Sequence, residues 1–234
     1  MKMLTAVHWR AGLHNVANRH SILLKDTELE RDALILALVC VGADSSVGEV
    51  ASGYLAEEME KWYQQNHLLV LLRKKSLWWL KRSLTVTLKN IHNDLVQQGK
   101  RKEVFLGVSF LLCAVWRKKY VIVQVGEVES LKFSWFHERN LTGNRRQSQP
   151  QDLLGTVHFQ SLKFRYGRMR RGQAILICSG NMINQLGKGR IFEALKPSEF
   201  RKENQITKRL SRIGDYVWEK GSGDNCSAIY IKSQ

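Results

Sequence analysis

The stretch from Val39 to Ser52 is the first place in this sequence where residue types and spacing suggest chemistry. It begins at the end of an apolar run, Ala33–Val41, whose length and β-branched end predict a buried strand. Ser46 and Glu49 have the Ser-x-x-Glu spacing of a capping box, in which each side chain satisfies a backbone N–H at a helix start. A tight, glycine-rich turn between a strand and a helix presents backbone and side-chain groups at the edge of a rigid sheet. This turn is therefore a candidate functional site.

The elements that must position this turn follow from hydrophobic patterning. The predicted strands are Thr5–Trp9, Ile22–Leu24, Ala33–Val41, Val104–Trp116, Tyr120–Val125, Leu131–Phe136, Leu162–Met169 and a final apolar strand reaching Ile231. The predicted helices are Ser46 to about Asn66, Leu68–Gln98 with Gly99 as its C-terminal cap, Ile191–Leu195, and about Ser198 to Trp218. Long apolar strands that are buried on both faces need cover from amphipathic helices, so the residues alone predict layers of sheet and helix.

The composition is that of a globular protein with an unusual charge. Of 234 residues, 44% are hydrophobic and 25% are charged, and we expect one domain over residues 1–234. The N-terminus lacks the long apolar core of a signal peptide and no apolar run is long enough to span a bilayer, so we expect a cytoplasmic protein with no membrane partner. With 37 Lys and Arg against 21 Asp and Glu, the net charge is +16. This excess favours anionic partners such as nucleic acid, acidic protein surfaces or phosphorylated peptides.

The cysteines and histidines do not form a recognisable metal motif. Cys40, Cys113, Cys178 and Cys226 are widely spaced, and each lies in or beside an apolar run. We expect buried, reduced thiols in preference to a zinc site or a disulfide framework. The seven histidines show no His-x-His or His-x-x-x-His spacing, so none is assigned to a metal.

Two basic segments have alternative interpretations. The predicted helix Leu68–Gln98 interleaves Arg73–Lys75 and further cations with tryptophans, and the strand Leu162–Met169 alternates apolar and basic residues. Either segment could bind nucleic acid or an anionic partner. A solvated basic face of an ordinary amphipathic element is the simpler interpretation, and we favour it.

The sequence Gly-Glu-Val-Ala-Ser at Gly48–Ser52 resembles part of a motif of the metal-dependent (PPM, type 2C) serine/threonine protein phosphatases. Further degenerate matches are collinear from Gly12 to Ile231 and include Asn18. The resemblance implies an α+β fold, a four-layer α-β-β-α sandwich of two antiparallel sheets flanked by helices.

The resemblance also implies a metal centre, whose positions are largely altered here. The family uses two hard divalent cations, Mg²⁺ or Mn²⁺, to activate a water for attack on phosphorus. Val41–Gly42 stands where the family has Asp-Gly, and Gly180 stands where it has a metal-ligating Asp. Asp224 and Asn225 match the family's closing Asp-Asn, so Asp224 is the one metal ligand that the resemblance retains. Val and Gly have no donor side chain, and Asp224 alone cannot hold two dications.

The positions that would grip phosphate and support the metals have changed as well. By the resemblance, Asn15 replaces the Arg that holds the substrate phosphate in bacterial members, and Arg19 and His20 replace a Glu and an Asp. Arg19 and His20 could receive an anion where the family's metals sit. The simpler interpretation is that both are solvated surface residues with no role in binding.

The loss of acidic ligands with retention of glycines and apolar strands favours a pseudophosphatase, with no catalytic residue and no cofactor expected. Its partner would be an acidic or phosphorylated protein. A divergent active Mg²⁺- or Mn²⁺-dependent phosphatase is the alternative, with Asp44, Glu127 and Asp224 as candidate compensating ligands. A third hypothesis is a nucleic-acid-binding protein that uses the +16 charge, for which affinity should fall steeply with salt.

Overall fold

Two antiparallel sheets form the framework of the protein in its computed structural model, which describes residues 2–10, 19–29, 32–43, 46–72, 76–142, 153–156, 159, 162–220 and 225–234. Within those ranges the strands are β1 (Met3–Arg10), β2 (His20–Leu29), β3 (Asp32–Gly42), β4 (Val108–Trp116), β5 (Lys119–Val125), β6 (Glu129–Phe133), β7 (Glu138–Asn140), β8 (Lys163–Arg168), β9 (Ala174–Cys178) and β10 (Cys226–Ser233). The helices are α1 (Gly48–Leu72), α2 (Leu77–Lys102), α3 (Gly180–Leu186), α4 (Lys188–Ala194) and α5 (Glu203–Glu219).

The strands are divided between the sheets in a way that brings distant segments together. One sheet has the order β1-β10-β9-β6-β7, and the other has the order β2-β3-β4-β5-β8. Within the second sheet, Leu38 of β3 lies opposite Leu23 of β2 on one side and Leu112 of β4 on the other. The first and last strands of the described chain, β1 and β10, pair along their whole length.

Three hydrophobic clusters fill the spaces between four layers. Side chains of β3 alternate between two of them: Leu36 and Leu38 pack toward α1 and α2, while Ile35 and Val39 pack toward the other sheet. The third cluster joins the β1–β10 sheet to α3, α4 and α5. Because β3 is buried on both faces, it is a continuous apolar run and not an alternating one. The predicted α+β four-layer α-β-β-α sandwich is therefore confirmed.

The predicted strands are confirmed with shifted ends, and the helices differ more. The first helix continues six residues past Asn66, to Leu72, and the second begins at Leu77 and not at Leu68. The three-residue strand β7 was not predicted, because so short a segment has no measurable periodicity.

Two predicted helix ends are wrong. The carbonyl of Val47 accepts hydrogen bonds from the N–H groups of Val50 and Ala51, so α1 begins one residue later than a cap at Ser46 would place it. Gly99 lies inside α2, and the left-handed turn that ends the helix is made by Glu103 with φ 55°. Gly99 is needed for space, because a Cβ there would lie 2.7 Å from the carbonyl oxygen of Val104.

The four cysteines are buried, as predicted. Burial raises the pKa of the Cys113 thiol to about 12, which keeps it protonated at neutral pH. None of the described helices combines the length and the apolar character that crossing a bilayer would need.

Candidate functional site

One end of the sandwich gathers the described residues that were predicted to form a site. The C-terminal end of β3, the start of β2 and the turn between β5 and β6 meet there with the β9–α3 junction and the start of β10. Loops that join sheet ends in this way are held by a rigid scaffold while their own side chains stay accessible.

The β3–α1 turn is held by close backbone packing. Gly42 donates its N–H to the carbonyl of Arg19 at 2.8 Å, which extends the β2–β3 pairing by one step. A Cβ on Gly42 would lie 2.2 Å from the carbonyl oxygen of Gly48, so the turn closes on itself with no room for a side chain. Val41, one residue earlier, is half-buried and packs against the cluster between the sheets. Its side chain therefore contributes to the core and supplies no ligand atom.

The β9–α3 junction is equally tight. Gly180 begins α3, and a Cβ at this position would lie 2.9 Å from the backbone carbonyl oxygen of Glu127. Glu127 is an exposed residue of the β5–β6 turn. The structure thus brings Gly180 and Glu127 together, but it does so through a backbone contact that leaves little space for a longer side chain at 180.

A buried polar contact joins the two sheets at this end. His20 of β2 lies opposite Val41, and its Nδ1 is 2.8 Å from the hydroxyl of Ser227 on β10. Ser227 in turn donates its N–H to the hydroxyl of Ser179 at 3.3 Å. These residues are all buried, and Asn225 beside them is 1% exposed. The network fastens the start of β2 to the start of β10.

Burial and the neighbouring charge of Arg19 lower the pKa of His20 from its ordinary value of 6.5 to about 4. His20 is therefore neutral at pH 7, so Arg19 would be the charged member of the pair toward an anion. A cavity of about 370 Å³ also touches His20, and its other lining residues within the described part of the chain are Val7, Trp9, Ile22 and Leu24. None of these described lining residues carries a positive charge at neutral pH that could hold a phosphate.

The structure places some of the predicted site residues and leaves others outside its description. Val41, Gly42, Arg19, His20, Gly180, Asn225 and Glu127 lie at this end of the sandwich. Asn15, Asp44 and Asp224 fall outside the described residues.

The described donors at these positions do not fit a centre of two Mg²⁺ or Mn²⁺ ions. Such ions need several carboxylate oxygens in near-octahedral arrangement. Val41 and Gly180 supply none, and Glu127 is the one carboxylate among the seven predicted positions that are described. Within the described ranges, no three His, Cys, Asp or Glu residues are grouped so that they could hold a metal ion.

Sequence reasoning did not single out Ser227 as a site residue. A signal was present, because Ser227 is a polar residue in the otherwise largely apolar run Cys226–Ile231. A buried hydroxyl needs a hydrogen-bond partner, so such an interruption points to a polar contact. It could not point to His20, which is 207 positions away.

No protein-family model matches the sequence, and no curated protein matches it either. Solved structures are similar in fold. Serine/threonine phosphatase Stp1 from Staphylococcus aureus is similar with a TM-score of 0.80 and 17% identity, over 100% of this chain and 96% of that one. The serine/threonine phosphatase PstP/Ppp from Mycobacterium tuberculosis is similar with a TM-score of 0.75 and 16% identity, over 99% of both chains.

A third similar structure is PppA, described as a key regulatory component of the T6SS in Pseudomonas aeruginosa, with a TM-score of 0.78 and 15% identity over 100% of this chain and 99% of that one. At such identities the likeness concerns architecture and not chemistry. The chain has the fold of the PP2C-type serine/threonine phosphatases.

Proposed function

We propose that this chain is a pseudophosphatase, a type 2C phosphatase fold that binds an acidic or phosphorylated protein without hydrolysing it. The observation that carries the proposal is the state of the two positions where the family has metal-ligating aspartates. One holds Val41, which packs into the core between the sheets, and the other holds Gly180, which closely approaches the carbonyl of Glu127.

At position 180, the packing of the backbone opposes an aspartate in addition to the residue type itself. An aspartate at 180 would bring its Cβ within 2.9 Å of the Glu127 carbonyl oxygen, so the β5–β6 turn would have to move to admit it. Restoring a carboxylate at 41 would place a charge in an apolar cluster, which is costly without a partner. The local packing therefore supports a site that does not assemble two metal ions.

The charge of the chain supports an anionic partner. A net charge of +16 attracts acidic surfaces over long range and speeds encounter with them. At the site end of the sandwich, Arg19 carries a permanent positive charge beside the backbone of the Gly42–Gly48 turn. A phosphorylated side chain that docked there would meet a cation and no activated water.

The test measures binding and hydrolysis on one sample. The full chain is titrated with Mn²⁺ by calorimetry, and release of inorganic phosphate is then followed from an aryl phosphate and from an acidic phosphoserine peptide. We expect no heat from specific Mn²⁺ binding, no phosphate release, and peptide binding by fluorescence anisotropy that weakens as salt is raised.

The control is the variant Asp224→Ala, which removes the one aspartate that matches a family metal ligand. Under the proposal it binds the peptide as the native chain does and is equally inactive. Mn²⁺-dependent phosphate release that disappears in Asp224→Ala would contradict the proposal.

The contradicting result would favour the alternative, a divergent active phosphatase. One observation favours that alternative: Glu127, a candidate compensating ligand, lies directly beside Gly180. In that case Glu127→Gln should abolish the Mn²⁺-dependent activity as Asp224→Ala does.

A further inference from the structure

A second charged feature lies away from the site described above, between the edge strands β7 and β8 of the two sheets. It is a cleft of about 650 Å³, here called the β7–β8 cleft, and its cationic lining residues are Lys132, Arg139, Arg165, Arg168 and Arg170. Arg168 lies opposite Lys119 at the start of β5, whereas the candidate site lies beyond the end of β5. The two features are therefore at different places on the sandwich.

Strand register explains why the cations converge on one space. Lys132 of β6 lies opposite Arg139 of β7, and its neighbours Leu131 and Phe133 pack toward the helices. Because side chains alternate along a strand, Lys132 and Arg139 point into the space between the sheets. Arg165 of β8 approaches from the other sheet.

Two hydrogen bonds hold this arrangement across the gap between the sheets. Arg165 donates from a guanidinium nitrogen to the carbonyl of Leu141 at 2.7 Å, and Lys132 donates from Nζ to the carbonyl of Arg168 at 2.7 Å. Each bond links a residue of one sheet to the segment at the edge of the other. These two bonds connect the walls of the cleft to each other.

The cations of the cleft have no ion-pair partners among the described residues. None of the lining residues is Asp or Glu, and none of the five cations forms an ion pair with a described carboxylate. Burial and the charges of Arg139 and Arg170 lower the pKa of Lys132. An anion that entered the cleft would offset this repulsion between the cations, because it would attract each of them.

The lining also fits phosphate chemistry in shape. Four of the five cations are arginines, whose planar guanidinium group matches two phosphate oxygens at once. Tyr166 and Gln173 add neutral polar groups to the lining. The volume is in the range of small-molecule sites, and cations that converge from two walls suit a compact ligand better than an extended polymer on a flat face.

We propose that the β7–β8 cleft binds a compact ligand that carries several linked phosphate groups. This proposal is independent of whether the chain hydrolyses phosphate, because the cleft shares no residue with the site at the β3–α1 turn.

The test is calorimetric titration of the full chain with inorganic tripolyphosphate, in EDTA and about 150 mM NaCl so that metal ions and long-range charge contribute little. We expect one molecule bound per chain. The double variant Arg139→Gln/Arg170→Gln, at two exposed positions, should weaken binding by at least about tenfold, because two charge-assisted contacts are lost.

The matched control is Arg190→Gln/Arg212→Gln, which removes the same charge from exposed positions on α4 and α5. It should bind tripolyphosphate as the native chain does. A parallel titration with ATP separates the sources of the ligand: tighter binding than tripolyphosphate indicates a nucleotide, weaker binding indicates an inorganic chain, and either supports the proposal.

Three outcomes would overturn it. Equal binding by the cleft variant and the native chain would show that these arginines are not the site, and equal weakening in the control would show that net charge alone is responsible. Tighter binding of a short single-stranded RNA, lost in the cleft variant, would make the cleft a nucleic-acid surface instead.

Discussion

His20 shows how a single buried side chain can take a different role from the one that its sequence position implies. The resemblance places it where the family has an acidic residue that supports the metals. In the structure its imidazole is 6% exposed and is joined to Ser227 across the two sheets. It therefore acts as a link between β2 and β10, and this role determines how it should respond to pH.

We predict that the free energy of unfolding falls as pH is lowered from about 6.5 to about 4. The pKa of His20 is lowered to about 4 in the folded protein, so the unfolded chain binds a proton first and acid favours unfolding. The shift corresponds to at most about 3 kcal/mol, fully present above pH 6.5 and lost as pH falls toward 4. Urea unfolding at several pH values measures it.

Substitution separates this effect from general acid sensitivity. His20→Gln should make the dependence between those pH values shallower without abolishing it, because burial also lowers the pKa values of His8 and His92. His137→Gln, at an exposed position, is the comparison variant. An equally steep dependence in His20→Gln would assign the effect to other groups.

At the scale of elements, the junction of β3 and α1 depends on the contact between Gly42 and Gly48. Patterning predicted the strand and the helix, because both have strong apolar signals. The start of α1 was predicted one residue too early, because Val47, and not Ser46, accepts the first helical hydrogen bonds. The close approach of Gly42 and Gly48 joins the end of β3 to the start of α1 and is visible in no local sequence pattern.

We predict that Gly42→Ala destabilises the fold strongly, by several kcal/mol and about as much as a severe core substitution. Its new Cβ would overlap backbone atoms of Gly48 at 2.2 to 2.4 Å, so the turn would have to open. Thermal and urea unfolding measure the change.

Gly53→Ala, in the helix α1 that follows the turn, is the matched control. Nothing lies within 4 Å of a Cβ at this position, and alanine is favoured over glycine inside a helix by about 0.5–1 kcal/mol. This variant should be slightly more stable than the native chain. A Gly42→Ala protein as stable as Gly53→Ala would show that the turn is not tightly packed.

For the molecule as a whole, repulsion within the excess of positive charge lowers the stability of the folded state. Folding concentrates 37 Lys and Arg with only 21 Asp and Glu, and ion pairs such as Lys25–Glu60 and Arg209–Glu199 are exposed and contribute little. The repulsion is expected to be strongest where cations converge without acids, as in the β7–β8 cleft.

We therefore predict that the melting temperature rises as NaCl is increased from about 20 to about 200 mM, because salt screens repulsion between exposed charges. The variant Lys89→Glu/Lys208→Glu carries a net charge four lower and should show a smaller rise. A melting temperature that falls over this range would mean that attractive ion pairs outweigh repulsion. Calorimetric scans of both proteins decide the matter.

Local patterns along the chain were enough to predict the layers of the fold. Apolar runs such as Ala33–Val41 and the amphipathic helices depend on local periodicity, which is visible in any single chain. That Val41 and Gly180 have no donor side chain is likewise read directly from residue identity. These features could be predicted because each depends on neighbours along the chain.

Contacts between distant residues became visible only in the folded structure. His20 and Ser227 are 207 positions apart, and the five cations of the β7–β8 cleft come from two sheets and the turn after β8. The close approach of Gly180 to the Glu127 carbonyl likewise depends on how two loops are stacked. Such contacts follow from strand register and from the packing of one sheet on the other, and neither is encoded by any short stretch of residues.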